Sequence, residues 1–142
     1  MAPPPNATAP IWAFACPTAY IESPNNLPSR TAVIEPPGAV SISLTFSFLF
    51  LEESHDWLTV YSCTTVSPAS PLGCAPGGLT LLANLTGYYT PAEAAAAAVM
   101  APAGALILHW QSDLWNPHSG FSATWVAGAS APVCLCAFVL LC

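Results

Sequence analysis

The chain has 142 residues, of which 54% are hydrophobic and only 6% charged, and its net charge of −6 sets seven acids against one base, Arg30. Nucleic acid and anionic lipid both demand several lysines or arginines to replace counterions, so neither is an expected partner; the acidity favours a cationic partner or a hard cation. The length suits one domain with a sizeable core, but its surface is far poorer in charge than the roughly 25% of an ordinary soluble domain.

Residues 1–15, beginning Met1-Ala2-Pro3-Pro4-Pro5, are Pro- and Ala-rich and are expected to form a flexible segment. They carry neither a basic n-region nor an apolar h-region, so a secreted reading expects the chain to be part of a longer precursor. The main domain is expected over residues 16–127. Within it, Ala39 to Phe50 alternates with period two: Val40, Ile42, Leu44, Phe46, Phe48 and Phe50 fall on one side, Ser41, Ser43, Thr45 and Ser47 on the other. That pattern predicts a long half-buried strand entered through the turn Pro36-Pro37-Gly38. Asp56 to Ser62 reads as the next strand, and the short acidic segment between them predicts an antiparallel hairpin.

Further strands are expected at Leu79–Leu85, Ala105–Gln111 and Phe121–Val126. The alanine run Glu93 to Met100 has helix propensity for one or two turns but lies closely between Pro91 and Pro102, so it reads as an insertion between strands. Ser112 to Gly120 is a turn-rich loop. Residues 128–142 form an apolar, Cys-rich tail shorter than the roughly 20 residues of a membrane span, and a final strand or a disordered tail is expected there. Short strands separated by Pro/Gly loops give the fold class: an all-β antiparallel sandwich.

Six cysteines, an even number, together with the sequons Asn6-Ala7-Thr8 and Asn84-Leu85-Thr86, point to an oxidising, extracellular setting in which glycans wet the surface. Cys63 and Cys74 flank the turn-rich stretch Val66–Pro71 and are the preferred disulfide pair. Asn6 and Asn84 are the candidate glycosylation sites.

Three ordered stretches carry a resemblance. Ile21-Glu22-Ser23-Pro24-Asn25-Asn26-Leu27-Pro28 is similar to the opening of CUB domains. Ile34–Gly38 then leads into Ile42–Phe46, Phe50-Leu51-Glu52 and Asp56–Tyr61. Leu106–Asp113 followed by Gly120-Phe121-Ser122-Ala123-Thr124-Trp125 resembles the family's close. The set covers about Cys16 to Trp125 and resembles the divergent CUB-like modules of microbial eukaryotes, which implies a jelly-roll sandwich. It departs from the family at Thr31, where a second cysteine would stand, and at His55, where a tyrosine precedes the aspartate.

The resemblance implies a calcium site built by Glu52, Asp56 and Asp113, with Ser112 and Asn116 completing an oxygen shell suited to a hard cation. Glu53 is a spare candidate ligand. Trp115 in the loop after Asp113, with His118 beside it and His55 in the acidic turn, forms the candidate contact surface for a protein or glycan.

Ser54-His55-Asp56 contains triad residue types, but consecutive residues on a strand point to alternating faces and cannot form a relay; zinc spacing, a phosphate loop and a nucleophile elbow do not occur. The chain is therefore expected to be a non-enzymatic, calcium-supported interaction module of a larger secreted or cell-surface protein. The alternative is a purely structural wall or matrix segment with no ligand or ion.

Overall fold

The computed structural model describes residues 29–113, 118, 120–129 and 138–141. Among the described residues, nine strands and one short helix follow in the order β1 (Ser29–Ile34), β2 (Ala39–Phe50), β3 (Trp57–Cys63), β4 (Leu79–Leu85), β5 (Tyr88–Tyr89), α1 (Pro91–Ala96), β6 (Val99–Ala101), β7 (Ala105–Gln111), β8 (Gly120–Ala129) and β9 (Phe138–Leu141). They build two antiparallel sheets. The first has the order β1-β7-β3-β4, the second β5-β2-β8-β9, with β6 also paired to β2. The fold is an all-β sandwich, as its short strands and turns predict.

The inner faces meet in one core. Ala32, Ile34, Leu58, Val60, Leu106, Leu108 and Trp110 come from the first sheet; Ile42, Leu44, Phe46, Leu49, Phe121, Ala123 and Trp125 come from the second. Trp110 and Phe121 touch across the interface with ring centroids 5.5 Å apart. Trp110 and Trp125 thus fill the interior, while Trp57 is only partly buried.

The period-two pattern of β2 holds for Ile42, Leu44 and Phe46 and then breaks. A register shift against β8 between Phe46 and Phe48 inserts one residue, so Leu49 and Leu51 turn inward. Phe48 and Phe50, expected in the core row, remain only partly buried, and Val40 is 51% exposed. A bulge adds a residue without a partner and so reverses the phase of alternation beyond it.

The expected hairpin of β2 and β3 does not form. β2 pairs with β8, β5 and β6, whereas β3 pairs with β4 and β7 in the other sheet. Residues 51–56 therefore carry the chain from one sheet to the other. A tight acidic connection is compatible with either geometry, and core packing of both strands decides for the crossing.

The alanine run occupies the middle of a strand position. β5 and β6 both pair with β2, at Leu49–Phe50 and at Ile42–Leu44, and α1 fills the interval between them. Thr90 caps the helix: its side chain accepts from the Glu93 amide while the Glu93 carboxylate accepts from the Thr90 amide, with Pro91 in the first turn.

The outer face of the first sheet carries a second, smaller core. Cys63 and Cys74 form a disulfide, which closes the loop over Ala105 and Ile107, themselves 3% and 0% exposed. Covered on both sides, β7 reads as the unbroken apolar run Ala-Leu-Ile-Leu. Gly73 has φ +77° and approaches so closely that a Cβ there would sit 2.9 Å from Val33 Cγ2. Next to this lid, Thr31, His109, Thr59 and Asn84 form one row across all four strands. In the apolar tail, β9 pairs β8 from Phe138 to Leu141.

Candidate metal centre

The register of the first sheet brings the site together. Trp57 pairs with Gln111, so the residues one step beyond, Asp56 and Ser112, become neighbours. Ser112 Oγ donates to Asp56 Oδ1 at 2.5 Å, and the Asp113 amide approaches the same oxygen at 3.3 Å. The Glu52 amide donates to Asp56 Oδ2 at 3.4 Å, and the Asp56 amide returns a bond to the Glu52 carbonyl at 2.9 Å. Asp56 is 1% exposed, and Ser112 is buried with it. A carboxylate so enclosed needs such donors, since an uncompensated buried charge is costly.

The crossing segment is bent to suit. Ser54 takes a left-handed φ of +65°, a conformation that costs a non-glycine residue roughly 1–2 kcal/mol. Its amide donates to Thr86 Oγ1 at 2.9 Å, and that hydroxyl donates on to the Glu52 carbonyl at 3.2 Å. The Leu51 amide also donates to the Gly87 carbonyl at 3.0 Å. Residues that follow β4 thus clamp the acidic turn from outside.

The outcome is a cluster of three acids. Glu52, Asp56 and Asp113 each present a carboxylate oxygen, and these lie within 4.8 Å of one another. Burial raises the Asp56 carboxyl above its ordinary value; bonds from Ser112 and the two backbone amides oppose this, and the Asp113 charge adds to it. His55 sits exposed at the turn. Its Nδ1 lies 3.0 Å from the Glu53 carbonyl and 3.9 Å from Glu52 Oε1, and these two groups raise its pKa, the carbonyl most.

The structure brings together Glu52, Asp56, Asp113 and Ser112, with His55 at the rim; Glu53 is exposed and supplies only its carbonyl to His55. Asn116 and Trp115 lie outside the described residues, as do Asn6 and the cysteines other than Cys63 and Cys74. His118 packs against β2. Its ring meets Phe50 edge-on at 4.6 Å, and Phe50 meets Tyr88 edge-on at 5.2 Å, with Tyr88 63% exposed. This aromatic row stands at the end of β2 immediately before Leu51 and Glu52.

Sequence reasoning missed Phe50, Tyr88 and Thr86 at this end of the molecule. The double aromatic Tyr88-Tyr89 after Gly87 was a usable sign, while Thr86 was hidden inside a sequon. No family model matches the chain, and no curated protein matches it, so what the site does rests on its own residues. The three carboxylates could hold a metal ion, and the Ser112 hydroxyl places a neutral oxygen beside them.

Proposed function

We propose that this chain is a non-enzymatic, calcium-supported interaction module of the CUB-like type, working outside the cell within a larger secreted or cell-surface protein. The observation that carries this reading is the approach of the Glu52, Asp56 and Asp113 carboxylates to within 4.8 Å. Calcium would be held by these three, with Ser112 and Asn116 as neutral oxygens. It supplies positive charge that offsets the mutual repulsion of the acids and the burial of Asp56. The partner is a protein or glycan, engaged by a basic group at the acidic rim and by contacts to Trp115, His55 and His118. The Cys63–Cys74 disulfide supports the extracellular setting.

Calorimetric titration with calcium, paired with thermal melts in calcium and in chelator, tests the reading. Heat of binding at one site and a rise in Tm that Asp113→Ala removes are expected. Identical melts in both conditions would refute it.

A second reading, a structural segment with no ion, is favoured by the three donors that Asp56 already has in Ser112 and the amides of Glu52 and Asp113. On that reading Asp56→Ala perturbs folding alone, with no change in any calcium response.

A further inference from the structure

We propose that a carbohydrate chain on Asn84 guards the open edge of β4 against pairing with a second copy of this chain. The proposal shares with the proposed function only the extracellular setting.

β4 ends the first sheet among the described residues and pairs there with β3 alone. Its seven residues, Leu-Thr-Leu-Leu-Ala-Asn-Leu, contain no charge and no proline. Edge strands usually carry such groups because their free N–H and C=O rows are templates for another strand. Leu81 adds an apolar side chain that is 58% exposed. The corresponding edge of the second sheet is treated differently: α1, with the charged Glu93, interrupts the strand position beside β2. Among the described residues, β4 has only the register shift opposite Val60 and Tyr61.

Asn84 stands exposed on this strand. Its Oδ1 accepts from Thr59 Oγ1 at 2.8 Å, which ties one arm of the planar amide to the neighbouring strand β3. The other arm of the amide, Nδ2, takes no part in that bond. Nδ2 is the atom that a sequon offers for glycosylation. A bond forms between it and the anomeric carbon of a lipid-linked oligosaccharide; the carbon–oxygen bond to the lipid diphosphate breaks, and the amide proton leaves with that diphosphate. The sequon hydroxyl of Thr86 is engaged by Ser54 and Glu52 in the folded protein, so the sugar is added before the turn closes. Once attached, it occupies the space that an incoming strand would need.

The test compares two forms of the full chain from a glycosylating secretory host. One is wild type and the other Asn84→Thr, which keeps a hydroxyl opposite Thr59 and a strand-favouring side chain. Mass spectrometry of the wild type should find sugar on Asn84, and sedimentation should find a monomer. Asn84→Thr should shift toward dimer at the same concentration, with unchanged far-UV circular dichroism. Adding Leu81→Lys to it should restore the monomer by charging the edge. An unmodified Asn84, a monomeric Asn84→Thr, or association that survives the lysine would each overturn the proposal. Calcium calorimetry on both forms reads the ion site separately, so either idea can fail without the other.

Discussion

The hydroxyl of Thr86 donates to the carbonyl of Glu52 at 3.2 Å, joining residues 34 apart in sequence. The same oxygen accepts from the amide of Ser54, so one side chain holds both the entry and the bend of the acidic turn.

Thr86→Val removes both bonds while keeping the shape of the side chain. It should lower stability by about 1–2 kcal/mol, and on the calcium reading it should weaken the ion as well, because Glu52 and Asp56 lose their fixed separation. Thr86→Ser should retain both properties. Chemical denaturation and calcium calorimetry on the two variants check this.

The Asp56 carboxyl titrates above its ordinary value of 3.8 in the folded state. Between 3.8 and that raised value, the native protein binds more protons than the unfolded chain, so Asp56 contributes stability that grows as pH falls and is lost as pH rises. In chelator, the difference in stability between wild type and Asp56→Asn should therefore move in favour of wild type on acidification across this window. On the calcium reading the ion competes with the proton for the same oxygen, so its apparent affinity should fall as pH falls over the same interval. Melts and titrations at a series of pH values measure both.

His109 gives the opposite slope. Burial lowers its pKa below 6.5, and Nδ1 sits 3.0 Å from Thr31 Oγ1. Here the unfolded chain binds more protons between the lowered value and 6.5, so the contribution is full above 6.5 and lost as pH falls through the window. A His109→Gln variant should show a flatter melting profile between neutral and mildly acidic pH than wild type.

The loop that covers Ile107 is held by a disulfide with a sequence separation of 11. Replacing Cys63 and Cys74 with alanine should cost about 2–3 kcal/mol, chiefly through the freedom regained by the unfolded chain. Guanidinium denaturation of the double variant beside the wild type should find the loss.

Strand identity was readable in β2 from its alternation and in β7 from its apolar run, and the lid disulfide because Cys63 and Cys74 straddle a turn-rich loop. Pairing was not. The segment Glu52–His55 is short enough for a hairpin, and nothing local says that Leu49 and Leu51 face the core from another sheet than Leu58 and Val60. β1, β5 and β6 also escaped notice: β5 and β6 are two- and three-residue pieces separated by a helix, too brief to show a period. In the site, the acids could be named from the resemblance, yet the burial of Asp56 follows from the Trp57–Gln111 register, which no single segment contains. Thr86 reaches Glu52 only through the folded arrangement of β4.

The extra residue in β2 has a bearing on how the chain can change its length. Ser47 and Phe48 together stand opposite Ser122 where strict pairing would place one residue. Deleting Ser47 would leave Ile42, Leu44, Phe46, Leu49 and Leu51 all inward, at the cost of the Ser47–Ser122 hydrogen bond. Deleting Thr45 instead would put Leu44 and Phe46 on opposite faces. Single-residue losses in this strand should thus be tolerated at Ser47 and excluded two residues earlier, and the bulge marks the point where the strand can shorten while its two faces keep their places.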